Sequence, residues 1–427
     1  MTGRPLETVS VYADLAHFDA ALQMGTLRRQ KSRGGDIFSF EYHPAWLQRP
    51  EAFSFDPDLA LVSGPQYPVP DKLNFGIFLD SSPDRWGRVL MQRRENIRAR
   101  HEGRRARSLT EWDFLLGVHD ETRLGALRFR DPDSGRFIDS DDMLAAPPLA
   151  SLRELQAASL HFESHADDQE RPREEHPNDE RWLPQLFAPG SSLGGARPKA
   201  SVRDEEGALC IAKFPSRQDR RDVGAWEIVA HRLAAKAGIN LPHTRALRVP
   251  GSAYTTFLAR RFDRTAAGRR LAFVSAMTLT QRNDGEAGAS YLELVDLLQS
   301  RGSQTHADCL ELFRRVVFSI LIHNTDDHLR NHGFFIQERG ISLSPAYDIN
   351  PSNDRNELSL AINEVDTTCD VSIALDAHAE YGVSKIEADE TIEKATAAVA
   401  SWRREAALLG ISRADQEIMA AAFEAMS

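Results

Sequence analysis

Cysteine is scarce in this 427-residue sequence, and a long apolar run is missing from it. The three cysteines, Cys210, Cys309 and Cys369, are odd in number and lack CxxC spacing, which argues against a disulfide framework or a zinc ribbon. No apolar run approaches the roughly 20 residues of a membrane helix, and the N-terminus lacks the basic region and apolar core of a secretion signal. The sequence therefore predicts a soluble, unexported protein of a reducing cytoplasm.

A net positive charge is missing as well, since the formal net charge is -11 at pH 7. This balance argues against a protein that coats nucleic acid with its whole surface. One basic segment stands out, because nine arginines lie between Arg85 and Arg107 in a stretch of helical composition. They form either a phosphate-contacting surface or an ordinary solvated helix face.

The order of strand and helix patterns predicts an α+β protein with more than one domain, for which 427 residues suffice. Alternating apolar residues over 8–42 indicate a β-rich opening. The stretch 161–182 is almost wholly polar and mostly acidic, which predicts a linker or loop. We therefore expect an N-terminal domain over 1–158, a linker or loop over 159–182 and a second domain over 183–427.

Two residues early in the second domain fit the nucleotide-binding half of a kinase. The domain divides into a strand-rich part, 183–262, and a helical part, 263–427. A kinase places a lysine on a strand to neutralise nucleotide phosphates, and a glutamate of the next helix holds that lysine. Lys213 in the predicted strand "LCIAKFP" and Glu227 in the following amphipathic helix occur in this order.

The polar motif "HNTDDHLRNHGFF", residues 323–335, lies between a predicted amphipathic helix and a predicted strand. Asp326 and Asn331 are five residues apart, which is the spacing of the catalytic Asp and the metal-binding Asn in the kinase catalytic loop, and Asp348 follows a predicted hairpin. Asp326 would accept a proton from the acceptor hydroxyl, while Asn331 and Asp348 would give oxygen ligands to magnesium.

A zinc site is a competing interpretation of the same motif. His323, His328 and His332 include one pair four residues apart, as helix-borne zinc ligands are. However, the motif is predicted to be a loop, where a spacing of four does not place two side chains on one face. Ordinary loop polar residues are a further alternative, and the earlier Lys213 and Glu227 favour the kinase interpretation.

A glycine-rich stretch, "PGSSLGGARPKASV" at 189–202, precedes the strand lysine. It fits neither the Walker pattern nor the kinase glycine pattern. Successive amides of Gly194, Gly195 and Ala196 would still suit phosphate, because adjacent N–H groups form an anion-binding nest. A plain turn is the alternative.

Together, the segments "SSLGGARPKA", "AKFP", "RRFDR", "NTDDHLRNHGF" and "SPAYDINP" resemble the HipA serine/threonine kinases, the toxins of bacterial toxin–antitoxin pairs. The segments "FEYHPAWL" and "SPDRWGRVLMQRR" look like the smaller N-terminal β-rich domain of that family, so the resemblance covers most of the chain. It implies a two-lobed protein-kinase-like domain after that β-rich domain, and a cytoplasmic enzyme linked to persistence.

The resemblance also implies roles for individual residues, with ATP and Mg²⁺ as cofactors. Asp326 would be the catalytic base, Asn331 and Asp348 the magnesium ligands, and Ser192 the site of autophosphorylation. The residues expected at the nucleotide, with Glu227 as the ion-pair partner of the lysine, are Gly194, Gly195, Ala196, Arg197, Pro198, Lys199, Lys213, Arg260, Arg261, Phe262, His328 and Tyr347.

The partners implied by the resemblance are a HipB-like helix-turn-helix antitoxin, operator DNA through that antitoxin, and a protein substrate, which in the family can be an aminoacyl-tRNA synthetase. One alternative is a small-molecule phosphotransferase of the aminoglycoside or choline kinase type, against which "SSLGGARPKA" argues. Another is a non-catalytic corepressor that binds antitoxin and DNA, against which the intact Asp326, Asn331 and Asp348 argue.

Overall fold

The computed structural model describes residues 6–33, 35–141, 145–164, 195 and 197–423. Internal contacts divide the chain into two compact units. The first unit runs to Ile211 and also contains Asp263–Val274, and the second comprises Ala212–Phe262 together with the residues from Ser275 onward. Within the part of the chain that the structure describes, no helix is both long and apolar enough to cross a membrane.

The first unit contains a four-stranded antiparallel sheet in the order β3-β2-β1-β4. Its strands are β1 (Thr8–Ala13), β2 (Leu22–Ser32), β3 (Gly35–Tyr42) and β4 (Leu127–Arg130). In β1 the alternate residues Val9, Val11 and Ala13 are fully buried, because successive strand side chains point to opposite faces. The predicted β-rich opening is confirmed.

The helices of the first unit are α1 (Pro44–Leu47), α2 (Gly76–Asp80), α3 (Arg85–His101), α4 (Glu111–Leu116) and α5 (Leu152–Ser164). The basic segment forms α3. This helix begins after Asp84, whose carboxylate accepts a hydrogen bond from the Gly87 amide at 2.8 Å and so satisfies one of the free amides of the first turn.

Many of the arginines in and after α3 pair with carboxylates of the same unit. The pairs are Arg88 with Glu111, Arg98 with Glu102, Arg104 with Glu95, and Arg107 with Asp113. These four fit the interpretation of a helix face neutralised within the protein. Arg85, Arg100 and Arg105 are exposed, and they remain the candidates for contact with phosphate.

The predicted start of the linker at residue 159 is too early, because helix α5 continues to Ser164. Phe162 in its last turn is buried and lies edge-on to Trp86 with a ring-centroid distance of 5.3 Å. This aromatic contact anchors the start of a stretch whose composition is otherwise polar. The remainder of the acidic stretch, from residue 165, lies outside the described residues.

The predicted lobe boundary at 262/263 also differs from the observed division, because Asp263–Val274 belongs to the first unit. The Asp263 carboxylate accepts a hydrogen bond from the Gly125 amide at 2.8 Å, and the Arg270 guanidinium donates to the Gly125 carbonyl at 3.2 Å. Strand β5 (Lys199–Arg203), expected in the strand-rich lobe, lies in the first unit as well. Contacts between residues so far apart in the chain leave no local pattern in the sequence.

The remaining strands are β6 (Leu209–Lys213), in which the boundary between the units falls, β7 (Thr244–Leu247), β8 (Thr256–Arg260), β9 (Phe273–Ser275), β10 (Gly333–Gln337) and β11 (Gly340–Leu343). Strands β6, β8 and β7 are neighbours in that order. Strands β10 and β11 form an antiparallel hairpin, which confirms the hairpin predicted after the polar motif.

The helices of the second unit are α6 (Val223–Ala237), α7 (Ala276–Leu279), α8 (Tyr291–Arg301), α9 (Thr305–Leu321), α10 (Val371–Asp376), α11 (Lys385–Val399), α12 (Trp402–Leu408) and α13 (Arg413–Met419). The predicted helical C-terminal part is confirmed, and α9 leads directly into the polar motif. Helices α11 and α13 begin at serine caps, since the side chains of Ser384 and Ser412 accept hydrogen bonds from the amides of Glu387 and Asp415.

Candidate active site

A buried lysine of the second unit connects two carboxylates. The Lys213 ammonium, at the end of β6, donates to Glu227 Oε1 at 2.5 Å and to Asp348 Oδ1 at 2.6 Å. Lys213 is 7% exposed and Glu227 is 1% exposed. The fold thus brings together three residues that the sequence predicted as parts of one site.

The two carboxylates keep this lysine charged. Burial alone would lower the pKa of Lys213, but the charges and hydrogen bonds of Asp348 and Glu227 outweigh burial and raise the pKa above its usual value. The side chain is therefore a permanent cation near neutral pH, as a group that neutralises phosphate must be.

A glycine and an N-cap hold α6 so that Glu227 faces the lysine. The Asp222 carboxylate accepts hydrogen bonds from the amides of Ala225 at 3.1 Å and Thr255 at 2.9 Å, so it joins the start of α6 to the approach to β8. A Cβ on Gly224 would lie 2.1 Å from the Thr255 carbonyl oxygen, so only glycine permits this close packing. Glu227 follows within the first turns of the helix.

The loop that carries the predicted base Asp326, defined as residues 323–332 and named the catalytic loop after that prediction, runs from the end of α9 to β10 and contains a 3-10 turn at Leu329–Asn331. Asp326 is exposed and Asn331 is buried. Asn331 Nδ2 donates to the Asp326 carbonyl at 3.1 Å, which ties the two predicted functional residues together. Asn331 Oδ1 is buried and accepts no hydrogen bond from any described residue. Leaving such an oxygen unsatisfied costs about 1–3 kcal/mol.

Asp348 has an unusual backbone conformation, with φ +58°. Left-handed backbone at a residue other than glycine is uncommon and is concentrated at functional sites. The side-chain Nδ2 of Asn350 donates to Asp348 Oδ1, and the backbone N–H of Asn350 donates to Asn324 Oδ1, each at 3.2 Å. Asn350 therefore connects Asp348 to the catalytic loop. Both asparagines lie within the quoted motifs, but only the fold shows that they meet.

The oxygen groups of this site fit magnesium better than zinc. The orphaned Asn331 Oδ1 and the Asp348 carboxylate are hard oxygen ligands. No group of three or more His, Cys, Asp or Glu side chains among the described residues is arranged to hold a metal. Both ring nitrogens of His323 are engaged, since Nδ1 lies 3.0 Å from the Ala422 carbonyl and Nε2 lies 2.9 Å from Asn356 Oδ1. The three-histidine zinc interpretation is therefore wrong for these residues.

Asp327 is a buried carboxylate that the sequence analysis did not single out from the Asp pair. It is 4% exposed, its Oδ2 accepts a hydrogen bond from the Tyr291 hydroxyl at 2.6 Å, and its Oδ1 lies 3.0 Å from His332 Nε2. Burial alone would raise the pKa of Asp327, but the electrostatic interaction with the adjacent His332 and the hydrogen bond from Tyr291 hold it below its usual value. His332, predicted as a zinc ligand in the alternative, is a partner of Asp327 instead.

Two aromatic residues expected at the nucleotide lie against each other. The rings of Phe262 and Tyr347 stack with centroids 5.4 Å apart and an interplanar angle of 29°, and Phe335 lies edge-on to Phe262 at 6.1 Å. The Tyr347 hydroxyl donates to the Arg330 carbonyl at 2.7 Å, which connects this aromatic pair to the catalytic loop. Aromatic faces of this kind suit a planar base.

Three other predicted nucleotide neighbours also lie in the second unit. Arg260 ends β8, Arg261 next to it is buried, and His328 precedes the 3-10 turn of the catalytic loop. His328 Nδ1 is buried and makes no hydrogen bond to any residue that the structure describes. Their contacts with a nucleotide stay predictions.

A model of the HipA-like C-terminal domain matches residues 191–402, the range that contains every residue of this site. Residues 191–402 belong to the HipA-like C-terminal domain family. None of the curated protein sequences matches it.

One solved structure agrees with this assignment at the level of the fold. HipA of Shewanella oneidensis MR-1, solved with HipB and its operator DNA, matches with a TM-score of 0.63 and 16% identity over 97% of this chain and 94% of that chain. The predicted α+β, HipA-like kinase fold with an N-terminal β-rich domain is therefore confirmed. A weaker match is the Helicobacter pylori proinflammatory kinase CtkA, with a TM-score of 0.34 and 14% identity over 48% of this chain and 89% of that chain.

The structure describes the predicted phosphate loop only in part. Gly194, Ala196 and the predicted phosphorylation site Ser192 lie outside the described residues, whereas Gly195, Arg197 and Pro198 lie within them. Lys199 is buried in the first unit, where its ammonium pairs with Asp84 at 2.7 Å and donates to the Gly195 carbonyl at 3.0 Å. The Lys199 contact with nucleotide therefore stays a prediction, beside an observed role in tying the loop to the start of α3.

Proposed function

We propose that this HipA family member is an ATP-dependent serine/threonine protein kinase. The observation that supports the proposal is one connected set of polar contacts, in which Glu227 holds Lys213, Lys213 holds Asp348, and Asn350 connects Asp348 to the catalytic loop. In the proposal Lys213 is the cation that neutralises phosphate, Asp348 is a metal ligand, and the loop reached through Asn324 carries the base Asp326, which together are the groups that phosphoryl transfer requires.

In this proposal Asp326 accepts the proton of a serine or threonine hydroxyl on the acceptor. The hydroxyl oxygen forms a bond to the γ-phosphorus, the bond from that phosphorus to its bridging oxygen breaks, and ADP leaves. Exposure of Asp326 allows a protein acceptor to reach it. Lys213 supplies a fixed positive charge to the phosphates, and the stacked Phe262 and Tyr347 offer an aromatic surface to the adenine.

Asn331 and Asp348 would hold the magnesium. When bound, the metal supplies charge neutralisation at the transferred phosphoryl group. The unsatisfied Asn331 Oδ1 is directed to this task by its own Nδ2, which is fixed on the Asp326 carbonyl. The same hydrogen bond keeps the metal ligand and the base in a constant relation.

The test of this function is magnesium-dependent transfer of radiolabel from γ-labelled ATP to protein, with Asn331→Ala and Asp348→Ala as variants. Loss of either oxygen ligand should raise the magnesium concentration for half-maximal transfer by roughly tenfold or more. Even the groups that only hold a metal ligand in place contribute roughly tenfold or more to metal affinity, and a direct ligand should contribute at least as much. Calorimetry with MgATP should show weaker binding for both variants.

Asp354→Ala serves as the control, since Asp354 is an exposed carboxylate of the segment that follows Asp348. It should behave as wild type. An Asn331→Ala variant with an unchanged magnesium requirement would contradict the metal assignment. Label found on an added aminoglycoside or choline, and in no protein, would contradict a protein kinase.

By family membership we further propose that the chain acts in the cytoplasm as the toxin of a toxin–antitoxin pair. The solved Shewanella protein is part of such a system, together with HipB and operator DNA. A HipB-like helix-turn-helix antitoxin is the partner proposed for this chain, with operator DNA reached through it. An aminoacyl-tRNA synthetase is the class of protein substrate proposed, and phosphorylation of Ser192 is the proposed means of self-inactivation.

The exposed arginines of the basic segment give a testable prediction about that assembly. Replacing Arg85, Arg100 and Arg105 with alanine should reduce the salt dependence of binding to an antitoxin–operator complex, by roughly one unit of log–log slope for each arginine that pairs with a phosphate. Gel-shift titrations over a range of salt concentrations measure this slope. Arg98→Ala is the matched control, because Arg98 is already paired with Glu102. Equal slopes for the triple variant and the control would assign the whole run to solvated helix face.

A further inference from the structure

Tyr291, the first residue of α8, is fully buried and contacts two different parts of the site. Its amide donates to the Ala361 carbonyl at 3.0 Å, while its hydroxyl donates to Asp327 Oδ2 at 2.6 Å. Its ring also lies edge-on to the ring of His332, with centroids 5.6 Å apart and an interplanar angle of 89°. One residue therefore joins residue 361 to the catalytic loop.

The part of the chain around Ala361, here called the acceptor-side segment and defined as residues 358–368, comes after Asp348 and folds back on itself. The Leu358 amide donates to the Thr367 carbonyl, and the Ile362 amide donates to the Asp366 carbonyl, both at 2.7 Å. The segment lies beside the proposed base, because the Ser359 hydroxyl donates to the carbonyl of Thr325, the residue before Asp326, at 2.7 Å.

The acceptor of the Tyr291 hydroxyl is the buried carboxylate of Asp327, the residue next to the proposed base. Asp327 receives hydrogen bonds from Tyr291 and from Ser319, the latter at 3.4 Å, and its second oxygen faces His332. Burial and the charge of Asp327 raise the pKa of Tyr291 well above its usual value, so the hydroxyl keeps its proton and remains a donor. A hydrogen bond to a charged acceptor is stronger than one between neutral groups.

We propose that Tyr291 is a positioning residue for phosphoryl transfer, which holds the acceptor-side segment and the catalytic loop in register so that Asp326 faces an acceptor hydroxyl. The inference rests on the proposed kinase function. Its physical basis is that a misplacement of about 1 Å between a base and the reacting group can cost about a hundredfold in rate. The hydroxyl of Tyr291 bonds to Asp327 and to neither Lys213 nor Asp348, so nucleotide binding should not depend on it.

The experiment compares Tyr291→Phe with Tyr381→Phe. Tyr381 is a matched control, because it is also fully buried and its hydroxyl donates to the carbonyl of Ile362 in the same acceptor-side segment, at 2.5 Å. Each change deletes one buried hydroxyl. Tyr381→Phe removes a hydrogen bond to the acceptor-side segment, whereas Tyr291→Phe removes the hydrogen bond to Asp327. Three quantities are measured for each protein: the rate of radiolabel transfer from saturating MgATP to the chain itself, the Kd for MgATP, and the unfolding temperature.

Tyr291→Phe should lower the transfer rate by roughly tenfold to a hundredfold relative to Tyr381→Phe, with a Kd for MgATP within about twofold of wild type, which is a difference too small to explain the rate. Asp327→Asn tests the same contact from the other side, and its effect on the rate should not add to that of Tyr291→Phe in the double variant. Equal transfer rates for the two tyrosine variants, or additive effects of Tyr291→Phe and Asp327→Asn, would overturn the inference. A wild-type protein that transfers no label would instead overturn the proposed function on which the inference rests.

Discussion

Replacing Asp326 with asparagine should lower the rate of phosphoryl transfer to protein by roughly 10²–10⁴-fold, the usual contribution of a general base. Asparagine has the same shape but cannot take the proton of the acceptor hydroxyl. The loop should keep its structure, because its contact with Asn331 uses the backbone carbonyl of residue 326 and not the carboxylate. The Kd for MgATP should therefore stay close to that of wild type.

The measurements are label transfer from γ-labelled ATP and calorimetric titration with MgATP on the same preparations. Asp354→Asn, an exposed aspartate outside the catalytic loop, is the control and should keep wild-type transfer. If Asp326→Asn turns over at the wild-type rate while Asp327→Asn is inactive, the base is the buried member of the pair and the assignment of Asp326 is wrong.

Replacing Lys213 with methionine should abolish transfer and also destabilise the protein. Glu227 is 1% exposed and is held by the Lys213 ammonium at 2.5 Å, so removal of the cation leaves a buried carboxylate without that partner. Breaking one side of a buried ion pair typically costs about 3–5 kcal/mol. The unfolding free energy should fall by about this amount in denaturant titrations, and MgATP binding should weaken strongly.

The double variant Lys213→Met/Glu227→Gln separates stability from chemistry. Neutral glutamine no longer leaves an uncompensated charge, so the double variant should regain much of the unfolding free energy by which the single variant falls short of wild type. It should remain inactive, because no cation faces the phosphates. Recovery of transfer together with stability would show that Lys213 acts only as a structural partner of Glu227.

Local features of this site could be predicted from the sequence because they depend on neighbours in the chain. The strand that carries Lys213, the helix that carries Glu227 and the loop that carries Asp326 all follow from apolar periodicity and short motifs. The ion pair between Lys213 and Glu227 was also expected, and it is present. The catalytic, metal-binding and nucleotide-binding roles assigned to these residues stay predictions.

Which of these polar side chains are buried or paired could not be predicted from the sequence. The spacing to Asn331 selects Asp326 from the adjacent pair, but only the structure shows that Asp326 is exposed and that Asp327 is buried against Tyr291 and His332. The arginine run is a uniform block of charge in the sequence, whereas carboxylates of the same unit neutralise part of it. His323 lies against Ala422 and Asn356, whereas His332 faces Asp327, and no metal-binding group of three His, Cys, Asp or Glu side chains is found among the described residues.

The sequence by itself determined which residue types are available to this protein: a strand lysine, a helix glutamate, an Asp and Asn pair five apart, and a later Asp, in the order typical of a kinase. Only the tertiary structure decided which of them meet. The contacts of Asn350 with Asn324 and of Tyr291 with Asp327 join residues 26 and 36 positions apart, and Asp263 packs on Gly125 across 138 positions. Such contacts depend on how separate elements pack to bury apolar surface and satisfy buried polar groups, which is a property of the whole chain and has no period or spacing in the sequence.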